Sequence, residues 1–359
     1  MYHSSGNYEA FATPAPPARA IGDAYIVGSG LAALAAAAFL VRDAAVPGER
    51  VHVLEHDPLP GGACDGAQLP GLGFVIRGGR EMEDHFECLW DLYRSVPSLD
   101  APGLSVLDEF YRLNKVDPNS SPMRTIRDRG RDGGTRNRFG LSDKGCQEIM
   151  RLFFTPEASL GDTRIADVFT DEVFDSNFWL YWRSMFAFQE WHSAAEMRRY
   201  LHRFIHHIGG LPDLSALKFT KYNQYESLIE PLVAHLRAQG VDFRFGVTAR
   251  DVLVDDIAGH VVARRLVYET DGREQTIELS RDDLVFVTNG SNVDGAALGD
   301  KTHAPVVEVA DGEGVSWPLW RAIAAHHDGF GRPDVFCRDI HASRWESATL
   351  TTLDDRILP

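Results

Sequence analysis

Three groups of residues have the types and spacing to do chemistry. The first is Gly28-Ser29-Gly30-Leu31-Ala32-Ala33, a G-x-G-x-x-A run. In such a run the first glycine makes a tight turn, the second admits a pyrophosphate to the backbone, and the small third residue keeps the helix close to the sheet. Gly28, Gly30 and Ala33 fill those places, and the helix amides after Gly30 would hold phosphate charge. Glu55 closes the next strand, where a carboxylate hydrogen-bonds a ribose. The second group is Arg77-Gly78-Gly79-Arg80-Glu81-Met82. Two glycines let a backbone approach a planar ligand, and the arginines supply charge for a phosphate or carboxylate. Glu81 is expected to begin a helix, where the dipole alone favours a carboxylate; Glu83, Asp84 and Glu87 read as solvated helix residues. The third group is Tyr200, His202 and His206 on one helix. The two histidines are four apart, but no H-E-x-x-H and no third ligand stands at a convincing spacing, so no metal site is expected. Tyr200, beside an apolar stripe, reads as a half-buried tyrosine.

After Glu55 come five residues and then the pair Gly61-Gly62. An acid followed closely by a glycine pair resembles FAD-binding proteins of the amine oxidase and desaturase type, in which the pair lets the loop pass close to the cofactor. FAD is therefore expected rather than NAD; a bland turn is the alternative meaning of the pair.

The elements that must position these groups follow from local pattern. Ala24–Val27 is a short apolar strand, Leu31–Val41 an alanine-rich helix, and Val51–Leu54 a second strand. Strand, glycine turn, helix and strand form a βαβ unit, which needs a parallel sheet covered by helices. Glu81–Arg94 places Met82, Phe86, Leu89, Trp90 and Tyr93 at helical spacing. Ser121–Gly140, with six arginines and four glycines, reads as a solvated loop or hairpin. Phe174, Phe178, Trp179, Tyr181, Trp182, Phe186, Phe188 and Trp191 crowd one helical stretch and read first as core, with a long apolar pocket as the sharper alternative. Ala194, Met197, Leu201, Phe204 and Ile208 form one apolar stripe, which Gly209-Gly210 ends. Tyr225–Gln239 is expected to be an amphipathic helix, and Val241–Phe245, Val261–Thr270, Gln275–Leu279 and Asp283–Thr288 to be strands.

The 359 residues carry 36 basic and 52 acidic side chains, a net charge of -16. That argues against nucleic acid as a partner, since phosphate binding needs a basic face. The four cysteines, 64, 88, 146 and 337, include no C-x-x-C and look like reduced intracellular thiols. The first 20 residues lack the basic and apolar regions of a signal peptide and read as a disordered arm. The longest apolar run, Leu31–Val41, has 11 residues, against about 20 needed to span a bilayer. A cytoplasmic location is expected.

With these residues in view, the sequence resembles the oleate hydratase family, also called myosin-cross-reactive antigens. The resemblance runs from about residue 22 and is carried by RGGREMEDHFECLWDLYRSVP (77–97), SVLDEFYRLN (105–114), SNFWLYWRSMF (176–186), WHSAAEMRRYLHRFIHHIGGLPDLSALKFTKYNQYE (191–226) and FVTNGSNVD (286–294). It implies an α/β fold: a doubly wound, Rossmann-like FAD-binding domain with an inserted, mainly helical substrate domain. It also implies FAD that is bound without serving as a redox reagent, and hydration of the cis-9 double bond of an unsaturated fatty acid, oleate giving 10-hydroxystearate. The family's catalytic glutamate falls on Glu81 and its catalytic tyrosine on Tyr200, with Glu81 activating water, Tyr200 donating the proton and Arg80 supplying a positive field. Gly28, Gly30, Ala33, Glu55, Gly61, Gly62, Arg77, Gly78, Gly79 and Met82 are the expected cofactor contacts.

The expected division is an arm at 1–21, FAD-binding segments at 22–120 and 216–300, an Arg/Gly-rich loop and helical substrate domain at 121–215, and the start of a further substrate segment at 301–359. Family chains continue well past Pro359, so an N-terminal portion is expected, without the carboxylate-gripping segment and the membrane-associating helix. Peripheral membrane contact would come through that C-terminal region, and a homodimer is compatible with the resemblance. Two other classes stay open on the residues alone: a flavin redox enzyme of the amine oxidase or desaturase type, and an inactive flavin- or fatty-acid-binding fragment.

Overall fold

The computed structural model describes residues 20–64, 66, 68–69, 73–74, 81–123, 126–127, 129–134, 138–291, 294, 296–297, 299–300, 302–306, 314–339 and 341–342. The expected N-terminal arm up to residue 19, the Arg77-Gly78-Gly79-Arg80 run and residues 343–359 lie outside them. The chain forms two compact units. Among the described residues, unit 1 comprises Glu81–Phe86 and Tyr111–Phe219, and unit 2 the rest.

Unit 2 is an α/β unit. β1 (Ala24–Val27), α1 (Leu31–Arg42) and β2 (Val51–Glu55) give the expected βαβ start. α2 (Glu87–Tyr93) follows. In unit 1 lie α3 (Asp143–Phe154), α4 (Asn177–Phe186) and α5 (Ala194–Phe204). Unit 2 resumes with α6 (Glu230–Ala238), β3 (Asp242–Phe245), β4 (Val247–Ile257), β5 (His260–Thr270), β6 (Arg273–Glu278), β7 (Leu284–Val287) and α7 (Trp317–His326).

The main sheet has the order β7-β1-β2-β3, and every pairing in it is parallel. β1 is buried along its length, as a strand with neighbours on both edges and layers on both faces must be. The chain builds outward from β1 through β2 to β3, then crosses to pair β7 on the other edge, Ala24 facing both Val51 and Leu284. The order of strands therefore reverses beside β1, and ligands of open parallel sheets bind outside the carboxyl ends of the strands at such a point.

A second, antiparallel sheet has the order β6-β5-β4. β4 carries no expectation from the sequence: Arg250, Asp251, Asp255 and Asp256 interrupt its apolar pattern. It forms because only Val247, Ala249 and Val252 need to be buried, packing with Leu266 of β5 and with Leu319 and Ile323 of α7. Tyr225–Gln239 is also not one α-helix. Tyr225–Ile229 is a π-helical turn that runs into α6. Pro231 has no amide to donate back to Ser227, so the tighter ladder loses a bond there and the wider turn costs less.

Asp91 ties the helices of unit 2 together. Its buried carboxylate accepts from Arg42 Nη2 at 2.6 Å and from Arg94 Nε at 2.7 Å, and Arg42 Nη1 also donates to the Asp91 carbonyl at 2.9 Å. Asp43 and Asp91 together hold the Arg42 guanidinium firmly charged. Asp91→Asn leaves that cation without its inner partner and is expected to cost about 1–3 kcal/mol, read as a lower urea midpoint at unchanged slope.

Unit 1 is mostly helical. Phe178, Trp179, Tyr181 and Trp182 of α4 are each at most 2% exposed and pack with Leu152 of α3 and Met197 and Leu201 of α5. The crowded aromatic stretch is thus mostly core, with Phe174 and Phe186 partly buried against it and Trp191 exposed. Ser142, Ser176 and Ser193 cap α3, α4 and α5 by accepting from the third residue onward. Ile126–Arg127 and Arg131–Asp132 pair as a small hairpin, as expected of the arginine-rich loop.

Candidate functional sites

In unit 2 the candidate nucleotide site is built on the turn from β1 to α1. Gly28 has φ +96°, a conformation that favours glycine, and a Cβ there would meet Thr288 Oγ1 at 3.1 Å. Its amide donates to the Leu54 carbonyl at 2.8 Å. Gly30 is different. Its φ of −66° suits any residue, and a Cβ would meet nothing closer than Gly62 Cα at 4.0 Å. The protein's own packing therefore leaves the space over Gly30 open, which is what a pyrophosphate approaching the backbone requires. Gly30 is also the N-cap of α1, no side chain caps that helix, and its first turn holds no acidic residue. The amides at its start point outward with the positive end of the dipole. Ala33, fully buried, lets α1 lie on the sheet. These residues fit a dinucleotide phosphate.

Gly61 and Gly62 lie against this turn. The Gly61 amide donates to the Ser29 carbonyl at 2.9 Å. Both have positive φ, +117° and +54°, and a Cβ on Gly62 would stand 3.1 Å from Gly30 Cα. The glycine pair is thus needed to bring the second loop onto the fingerprint. Glu55 is 8% exposed, and its carboxylate is already engaged. Oε2 accepts from the Ser29 amide at 2.8 Å and the Ser29 hydroxyl at 2.5 Å, and Oε1 from the Asp57 amide at 2.8 Å. A carboxylate offers about four acceptor positions, so capacity remains for a ribose hydroxyl. Ser29, which pattern alone does not single out, is what orients Glu55. Its signal in the sequence is a hydroxyl at the variable place of G-x-G with an acid ending the next strand.

Unit 1 holds Glu81 and Tyr200. Glu81 is exposed and begins no helix, contrary to expectation. Met82 forms an antiparallel bridge with Lys218, each amide donating to the other's carbonyl at 2.9 Å. That extended pairing and the turn after it delay α2 to Glu87. Met82 is buried. Tyr200, on α5, is half-buried in an aromatic surround, its ring centroid 5.3 Å from Phe186, 5.1 Å from Phe188 and 5.9 Å from Phe204. Burial, and secondarily the Glu196 carboxylate, push its phenol above the usual value, so it stays protonated at neutral pH. Arg77, Gly78, Gly79 and Arg80 fall outside the described residues.

Glu83 is the residue most misread from the sequence. It is 2% exposed rather than solvated. Its carboxylate accepts from Arg203 and from His207 Nε2, the latter at 2.7 Å, and from the His85 amide at 2.9 Å. Burial alone would raise its pKa, but the His207 bond, the His85 amide and the Arg203 charge outweigh burial and hold it below the usual range. Arg203 also donates to the His85 carbonyl at 2.6 Å, and its guanidinium lies over Phe86 and Phe204. His202 takes no part: its Nε2 lies 2.7 Å from the Phe153 carbonyl and its ring stacks on Phe153. The structure instead brings His206 together with His85 and His207.

An α/β unit with a parallel sheet and a glycine-rich strand-to-helix turn defines the class of protein. The chain belongs to the MCRA family, whose sequence model matches residues 22–359. It is 51% identical over 361 residues to an oleate hydratase of Streptococcus pyogenes serotype M49 (strain NZ131), a match covering all of this chain and 61% of that protein. It is 31% identical over 352 residues to a linoleate hydratase of Lactiplantibacillus plantarum, covering 92% of this chain and 61% of that protein. The chain thus spans about three-fifths of the length of these curated relatives. Among solved structures, a CLA-producing fatty acid isomerase from P. acnes overlaps with a TM-score of 0.43 at 13% identity, over 76% of this chain and 62% of that one, too loosely to carry an argument. Among the described residues no helix is long and apolar enough to cross a membrane.

Proposed function

We propose that this chain carries the cofactor-binding and proton-transfer residues of a fatty acid hydratase, acting on the cis-9 double bond of oleate to give 10-hydroxystearate. The observation that carries this reading is the 51% identity with an oleate hydratase along the whole chain. In this reading unit 2 is a doubly wound FAD-binding domain and unit 1 an inserted, mainly helical substrate domain. Gly28, Gly30, Ala33, Glu55, Gly61 and Gly62 hold the ADP half of FAD, with Arg77, Gly78, Gly79 and Met82 toward the rest. FAD, when bound, supplies a fixed planar surface and charge, and its electrons are not consumed.

An isolated alkene is a poor base and a poor electrophile, so hydration needs a proton delivered to one carbon and water held against the other. Tyr200, a phenol that is protonated at neutral pH and that burial makes a weaker acid still, gives the proton, and its aromatic neighbours suit an apolar chain. Glu81 orients the water and takes a proton from it, and Arg80 provides positive charge that eases proton release from a weak phenol. The alkene π bond and one water O–H bond break, one C–H and one C–O bond form, and the proton taken up by Glu81 restores the phenol of Tyr200. No oxidant enters the balance. Each proton-transfer role is worth about 10² to 10⁴ in rate.

The test is mass spectrometry of the product from oleate under anaerobic conditions in heavy-oxygen water. The expected product is heavier than oleate by one water and carries the label at its new hydroxyl. A product that forms only with oxygen or an added electron acceptor would sink the reading in favour of flavin redox chemistry.

A further inference from the structure

Outside those roles, unit 1 gathers three imidazoles at one point. His85 comes from the turn between Met82 and α2; His206 and His207 come from the 3₁₀ turn Ile205–Gly210 that follows α5. One ring nitrogen of each lies within 4.8 Å of those of the other two. The ligand atoms of a tetrahedral zinc ion, bound at about 2.0–2.1 Å, stand about 3.3–3.4 Å apart. The cluster is therefore within small side-chain rotations of that geometry. The rings do not stack flat: His85 meets His206 edge to face at a centroid distance of 4.4 Å, and His206 is tilted against His207 at 4.1 Å.

The surroundings supply what a metal site needs beyond its ligands. His207 Nε2 donates to Glu83, at 2.7 Å, which fixes the tautomer and leaves Nδ1 with its lone pair. A carboxylate orienting a ligating histidine in this way is the usual outer support of zinc sites. The other oxygen of Glu83 is held by Arg203, so Glu83 stays an orienting group and offsets the local charge. His206 is exposed, so a fourth position at the ion is open to water. An all-nitrogen set of this kind suits zinc and its neighbours in the first transition row, and not magnesium or calcium.

We propose that His85, His206 and His207 form a binding site for one divalent transition-metal ion of the zinc class, with Glu83 orienting His207 and water completing the tetrahedron. The test is equilibrium binding of Zn²⁺, and of Co²⁺ as a coloured substitute, to the chelator-stripped full chain. One ion per chain is expected, with the visible absorption of tetrahedral cobalt. His206→Ala, whose exposed ring can be removed without opening the core, is expected to weaken binding at least about 100-fold. Glu83→Gln should weaken it about 10- to 100-fold, and His202→Ala should leave it unchanged. A melt by circular dichroism separates loss of the site from loss of the fold, and His206→Asn replaces any alanine variant that does not fold. Absence of binding by the folded chain, or equal affinity in the His206 and His202 variants, would overturn the proposal.

Discussion

Glu81→Ala and Tyr200→Phe are each expected to lower the rate of 10-hydroxystearate formation from oleate by about 10² or more, or at least roughly 2.7 kcal/mol in barrier, while flavin content stays near that of the parent. Phenylalanine keeps the Tyr200 ring among Phe186, Phe188 and Phe204, so packing is preserved and only the donated proton is removed. Glu81 is exposed and outside the core, so its truncation should leave the melting temperature nearly unchanged. Because the two groups serve one step, the double variant should fall little below the worse single one rather than to their product. The measurement is initial rate by mass spectrometry, in a polypeptide of the relatives' length, with flavin absorbance recorded on the same samples. Near-parental turnover by Tyr200→Phe would leave the proton donor unassigned.

Gly30→Val should abolish the yellow colour of the purified protein. The argument is steric and specific to the ligand. In the protein alone a Cβ at Gly30 meets nothing closer than 4.0 Å, and the backbone there is in a conformation any residue adopts. The substitution should therefore fold, and the branched side chain should occupy the space through which a pyrophosphate reaches the helix amides. Gly62→Val is the contrasting case. It places a Cβ 3.1 Å from Gly30 Cα at a positive φ, so it should destabilise unit 2 whether or not flavin is present. Flavin per chain from absorbance, beside a thermal melt of each variant, distinguishes the two. A Gly30→Val protein with stoichiometric flavin would place the pyrophosphate elsewhere.

Local chemistry accounts for what was legible in the chain. A buried four-residue strand, a glycine that must take a positive φ and an alanine helix announce themselves within thirty residues, because each depends on its own neighbours in sequence. The parallel pairing of β1 and β2 follows from that unit, and Phe178, Trp179, Tyr181 and Trp182 of α4 with Ala194, Met197 and Leu201 of α5 are core because their periodicity leaves one face to bury; of the expected stripe, Ile208 lies past the end of α5 and is only partly buried. The expectation that Glu81 opens a helix failed for an opposite reason. Helical spacing of Met82, Phe86, Leu89, Trp90 and Tyr93 is real, but Met82 exchanges backbone hydrogen bonds with Lys218 instead, and no local pattern announces so distant a partner.

The sequence by itself determined the glycine-rich turn between β1 and α1, the parallel start of the sheet and the aromatic core of unit 1, since steric rules and burial periodicity act over a few residues. Only the tertiary structure decided that charged β4 is a strand, that Ser29 rather than solvent orients Glu55, and that Glu83 is buried. Glu83 and His207 are 124 positions apart, and Glu83 on its own reads as a surface acid. Its burial becomes affordable only once Arg203, His207 and the His85 amide converge on it, because an ion leaves water only when charge and hydrogen bonds replace its hydration. The same convergence carries His85 to His206 and His207, where the sequence showed only His202 and His206 four apart and led to no expected metal site.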